Sequence, residues 1–211
     1  MSGFDLVFAA FGLLLGLAIT EVLGGFSRAL KLKRAAKPVR IGWLTPLLGL
    51  FVLLDLTSFW LTAFEERDAM GADYLTLVAV LAIVGVYYLA ATLIFPDDPE
   101  QWPDFDDWYD RHKRMVIGGL LAANVGSIIG QIVLGATAED TAAADTLAIG
   151  AAAAAEPAMS AMAETIMGLA LLSLFLLLGA LLVIRSRRWN IVMLLVLVLL
   201  LPSASIYLDQ V

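Results

Sequence analysis

The chain contains no cysteine and a single histidine, His112. Disulfides and thiolate chemistry are therefore excluded, and so is any haem or zinc site that needs two histidines. Charge is scarce too. Asp, Glu, Lys and Arg supply 16% of the 211 residues, against about 25% in ordinary soluble domains. Apolar residues make up 61%, and the mean hydropathy is +0.90. A water-soluble globular domain does not have that composition. No secretory signal peptide is expected either, because the first basic residue is Arg28 and the chain opens Met-Ser-Gly-Phe-Asp.

What the chain does have is six long apolar runs, at residues 4–26, 41–64, 74–95, 115–135, 163–184 and 190–208. Each is long enough to cross a hydrocarbon core of roughly 30 Å at about 1.5 Å per residue. The expected fold is all-α: an integral membrane helix bundle with six transmembrane helices in three hairpins, forming a single transmembrane domain over 1–211. Twelve of the thirteen basic residues fall in three connections, 27–40, 96–114 and 185–189, leaving Arg67 on the other side. Because basic residues of short loops stay in the cytoplasm, these three connections are expected inside and both termini outside. The compact loops fit a bacterial inner-membrane protein. Ser2 and Asp5 have capping-box spacing for the first helix. In the long loop 136–162, helix five is expected to begin near Pro157, with the Ala-rich stretch 137–155 weakly ordered.

Two stripes of small residues suggest close helix approach: Gly12, Gly16, Thr20 and Gly24 in the first run, and Ala122, Gly126 and Gly130 in the fourth. Packing within the bundle is the expectation. A homo-oligomer or contact with another membrane subunit is the alternative use of the same stripes.

Polar groups inside the apolar runs mark the candidate site, because a charge at the bilayer centre is costly. Counted from the basic ends, Glu21 lies about 8 Å deep and Asp55 about 21 Å deep. Glu21 is an interfacial acid within reach of Arg28. Asp55 has no base at its depth, so it is expected as a protonated hydrogen-bonding group unless water or a cation reaches it. Asn124, Ser127 and Gln131 share one face of the fourth helix by their i, i+3, i+7 spacing. With Ser127 and Gln131 at about 18 and 24 Å, and Ser203 and Ser205 at about 20 and 23 Å, these residues are expected to join Asp55 in one polar layer. Pro202 is expected to interrupt the sixth helix at that level and free a carbonyl, as in many ion sites.

The connection at 96–114 carries seven acids, among them Asp104, Asp106, Asp107 and Asp110. Asp106, Asp107 and Asp110 have the D-D-x-x-D spacing that binds magnesium diphosphate in prenyl-transferring enzymes. No second aspartate-rich motif accompanies it, and pairing with the six bases of 27–40 is the stronger expectation. Trp102, Trp108 and Tyr109 are expected as interfacial anchors, and His112 as a solvated interfacial residue. No P-loop, Gly-x-Ser-Gly nucleophile or Asp-Gly-x-x-Ala-Arg signature occurs. Three functions remain open: a non-enzymatic component of a membrane complex, a small proton or cation transporter using Asp55, and a lipid- or isoprenoid-modifying enzyme using the acidic connection. The bilayer is the expected surrounding; no cofactor, metal or nucleic acid is expected.

Overall fold

A computed structural model describes residues 3–34, 39–65, 74–98, 101–148 and 161–208. They form six helices: α1 (Gly3–Lys33), α2 (Leu44–Glu65), α3 (Tyr74–Thr92), α4 (Phe105–Ala148), α5 (Ala161–Val183) and α6 (Arg187–Leu208). There is no strand among the described residues beyond one isolated parallel bridge between Arg40 and Asp104. Four helical segments are long and apolar enough to cross a membrane: Phe11–Lys33, Leu44–Glu65, Tyr74–Thr92 and Phe105–Val133. Helices suit such sequences because they satisfy every backbone N–H and C=O within the segment, which an apolar surrounding cannot do.

α2 is the hub. It touches α1, α3, α4 and α6, while α5 lies outside it against α4 and α6. Its residues Leu44, Leu48, Phe51, Val52 and Leu56 are buried in the common core. Apolar side chains also cover the outer faces, including Leu13, Leu172, Leu176 and Leu199. A bundle apolar both inside and outside is what an apolar surrounding selects.

The small-residue expectation holds at some positions and fails at others. A Cβ at Gly12 would meet the Trp60 ring at 3.3 Å, and one at Gly126 would meet Ile83 at 3.2 Å. Gly16 and Gly130 face nothing within 4 Å, and Gly24 faces only the Arg28 guanidinium at 3.7 Å. The tightest approaches lie outside both stripes. At Gly25 a Cβ would overlap the Phe95 ring, which seats α1 against the end of α3.

Helix extents differ from the sequence reading: α1 runs on to Lys33, into the expected connection 27–40, and α4 and α6 differ as well. α4 begins at Phe105 rather than 115, because Asp104 caps it: its Oδ1 accepts the Asp106 N–H at 2.9 Å. α4 then continues to Ala148, into the stretch expected to be weakly ordered, since alanine favours the helix. Its 44 residues make it about 66 Å long, roughly twice the thickness of a hydrocarbon core. α6 is not broken at Pro202; the helix runs through it from Arg187 to Leu208. Ser2 and Pro157 lie outside the described residues.

Residues 39–43, 93–98, 101–104 and 184–186 meet at one end of the bundle. Arg40 N–H donates to Pro103 O at 2.7 Å, and Phe105 N–H returns to Arg40 O at 3.1 Å. The Thr45 hydroxyl adds a bond to Phe105 O at 2.9 Å. Two chain segments more than sixty residues apart are thus joined by backbone pairing that salt cannot screen.

Candidate functional site

Three helices each contribute one polar side chain to a point inside the bundle: Asp55 from α2, Tyr87 from α3 and Asn124 from α4. Asp55 is 3% exposed and Tyr87 1%. The Tyr87 hydroxyl donates to Asp55 Oδ2 at 2.9 Å. Asn124 Nδ2 lies 3.1 Å from both Asp55 Oδ2 and the Tyr87 oxygen, and 3.0 Å from Leu120 O on its own helix. The convergence follows from the topology. α2 and α3 run antiparallel on either side of the 66–73 connection, and α4 returns alongside α3, so residues at matching depth meet. The phenol and the amide thus give the carboxyl two neutral donors, both on Oδ2.

The layer expected from the sequence is therefore split. Asn124 joins Asp55, and Tyr87 completes the cluster in place of the serines. Ser127 and Gln131 pair with each other instead, at 3.4 Å, one and two turns further along α4. Ser203 is exposed, and its hydroxyl bonds back to Leu200 O at 2.8 Å. α6 packs against α2, its buried residues are Asn190, Met193, Leu194 and Leu197, and Ser203 lies on its exposed side. The side chain of Ser205 lies outside the described residues.

Directly beyond the cluster, away from the basic connections, is a cavity of about 330 Å³. Phe59 and Ile83 lie one turn above Asp55 and Tyr87 and form its inner end; Thr62, Ala63, Ser127, Gly130 and Gln131 stand in its walls. The Phe59 ring sits 5.4 Å from the Tyr87 ring, closing the floor between the cavity and the carboxyl.

At the other end of the bundle Asp104, Asp106, Asp107 and Asp110 are each engaged by the chain. Asp104 caps α4 and meets Arg40 at 3.4 Å. Asp106 Oδ1 accepts the Leu44 N–H at 3.4 Å, capping α2 from a different helix, and its carboxylate occupies the space a Cβ at Gly42 would need. Asp107 and Asp110 both bind Arg187, the latter at 2.8 Å. The bond to Asp107, supported by Asp110, holds this guanidinium above its ordinary pKa. Pairing of the acids with the bases of 27–40 is thus realised at Arg40, whereas the bidentate partner comes from the third basic connection. Glu21 does not meet Arg28: among the described residues it forms no ion pair, and the Arg28 guanidinium lies beside Gly24.

The aromatic anchors also take other roles. Trp108 donates its indole N–H to Leu93 O at 3.0 Å, closing the end of α3, and stacks on His112 at 3.7 Å. Arg111 lies over the Trp102 ring at 4.7 Å. Tyr109 is buried, and its hydroxyl has no hydrogen-bond partner among the described residues.

One buried cation was not legible in the sequence. Lys113 is buried among α4, α5 and α6, and its Nζ donates to Ile184 O at 2.6 Å. With the Asn190 amide turned to satisfy its neighbours, its oxygen accepts from Lys113 at 2.9 Å and its nitrogen donates to Ile184 O at 3.2 Å. The end of α5 is thereby capped by a cation, the charge its dipole favours.

No protein-family model matches the chain, and no curated protein or solved structure matches it.

Proposed function

We propose that this chain is a six-span protein of the cytoplasmic membrane, with its three basic connections inside and both termini outside, and that it serves as a non-enzymatic component of a membrane assembly. One observation carries the reading: the buried Asp55 and Lys113 and the carboxylates at the basic end are directed at other side chains and at helix ends. Asp55 engages Tyr87 and Asn124, Lys113 engages Ile184 and Asn190, and the four carboxylates at 104–110 engage Arg40, Arg187 and two helix N-termini. Groups used this way order a scaffold.

A second reading, proton or cation movement past Asp55, is favoured by the cavity that ends one helical turn from the carboxyl. Vesicles containing the full chain separate the two. The scaffold reading expects no flux under a pH or sodium gradient. Flux that is present in the wild type and lost in Asp55→Asn, with the fold intact, would establish transport instead. The orientation is tested by single cysteines in this cysteine-free chain. Impermeant reagents should reach Glu65→Cys and Tyr74→Cys from outside, and Arg34→Cys, Asp98→Cys and Ser186→Cys only after permeabilisation. The reverse pattern would invert the topology.

A further inference from the structure

The cavity above the Asp55 cluster lies between α1, α2, α3 and α4, and its lining separates into a closed back and an open rim. Phe11 and Ala63 at the back are buried, 3% and 6% exposed. At the rim Leu75 is 75% exposed, and Ile129 and Val133 are each 56% exposed. Ile129 lies inside the apolar segment Phe105–Val133, so part of this rim is lateral, along α4. A molecule entering there comes from whatever surrounds the bundle.

About 10–15 Å³ admits one water, and a buried water needs roughly 2–4 polar partners. A space of about 330 Å³ has room for many, yet its side-chain polar groups are few. Thr62 already donates to Ser58 O at 3.2 Å, and Gln131 to Ser127. Such a wall disfavours water and favours an apolar occupant with one polar group. The volume falls within the roughly 300–1,000 Å³ of small-molecule sites.

Gly130 leaves the α4 side of the space open. A Cβ there would meet nothing within 4 Å, so the glycine is not required for any helix to approach. One turn earlier, Gly126 does sit against Ile83. The same helix is thus closed against α3 at Gly126 and open at Gly130.

We infer that this cavity is a binding site for one acyl chain of a bilayer phospholipid, entering along α4, with its ester group at Gln131 and its methylenes against Phe11, Phe59 and Ala63. The inference rests on the membrane-spanning reading and adds an occupant to it. Apolar chains are the material present at such a lateral opening, and the Gln131 amide, which gives one N–H to Ser127, has a second suited to an ester carbonyl.

The test uses phosphatidylcholine carrying a photoreactive diazirine in one acyl chain, with the full-length chain reconstituted in vesicles of unlabelled phosphatidylcholine. Any spanning protein is labelled on its outer faces, so adducts at Leu176 and Val196 report membrane insertion alone. Adducts at Phe11, Phe59 and Ala63 are expected in addition, because only a molecule inside the cavity reaches them. Gly130→Leu places its side chain in the space and should lower those adducts at least fivefold while leaving Leu176 and Val196 unchanged. Outer-face labelling without back-wall labelling in the wild type would overturn the proposal and spare the membrane reading, and this arm does not depend on any variant folding. Absence of both would overturn the two together. Back-wall labelling by diazirine palmitate but not by the phospholipid would overturn the phospholipid as occupant.

Discussion

Lys113 Nζ and the carbonyl oxygen of Ile184 are 2.6 Å apart, joining α4 to the end of α5 across 71 positions of sequence. The bond is charge-assisted, Lys113 is buried, and Asn190 shares both partners. Replacing Lys113 by Met keeps the aliphatic stem but leaves the Ile184 carbonyl dependent on Asn190 alone. Thermal unfolding in detergent should show a loss of about 1–3 kcal/mol. A melting temperature equal to the wild type would refute the capping role.

Asp55 offers a graded series. Asparagine retains an acceptor for Tyr87, so Asp55→Asn should remain within about 1 kcal/mol of the wild type. Leucine leaves the Tyr87 hydroxyl without its buried acceptor, while the Asn124 amide keeps Leu120 O and the Tyr87 oxygen, at a cost of roughly 1–3 kcal/mol. Combining Asp55→Leu with Tyr87→Phe should recover part of that loss, because one orphaned donor goes with the second substitution. Strictly additive losses in this cycle would show that the two side chains do not interact.

Arg187 stands at the opposite extreme of exposure. Its side chain is 40% exposed, and those of Asp107 and Asp110 are 59% and 34% exposed, so solvent screens both pairs. Arg187→Gln should cost no more than about 1 kcal/mol, and raising the salt concentration should shrink the difference. A large, salt-independent loss would mean that Arg187 has a packing role beyond its charge.

Tyr109 is expected to behave in the reverse sense from most buried residues. Its hydroxyl is buried without a partner among the described residues, so Tyr109→Phe removes a desolvated polar group and little packing. The variant should be as stable as the wild type or more stable. A destabilisation above about 1 kcal/mol would reveal a hydrogen bond to this hydroxyl.

The helical character and four of the helices long enough to span were legible because apolar runs of that length admit few other solutions in 211 residues. Asp55 and Asn124 stood out for the same reason: a polar side chain in such a run calls for a partner. Tyr87 did not, since a tyrosine amid Val, Leu and Ala reads as one more aromatic. Its signal was depth, because Asp55 and Tyr87 lie at comparable distances on either side of the 66–73 connection. Ser203 misled for a complementary reason. Its depth was compatible, but α6 is apolar on nearly every side, so periodicity could not say which face meets α2. The choice of Arg187 over the bases of 27–40 was equally hidden, because the position of a hairpin around a bundle is set by tertiary packing. Lys113, four residues from Tyr109 in a basic stretch, carried no local mark of burial.

The Asp55 cluster has a consequence for how the chain is made. Tyr87 follows Asp55 by 32 residues and Asn124 follows it by 69. At about 5–20 residues per second, roughly 3–14 s separate the emergence of the carboxyl from that of its last partner. A nascent α2 that enters the bilayer as it is synthesised must spend that interval with its carboxyl protonated, hydrated or sheltered by the insertion machinery. The order of synthesis thus makes α2 the segment most dependent on assistance, although in the finished bundle it is the most enclosed.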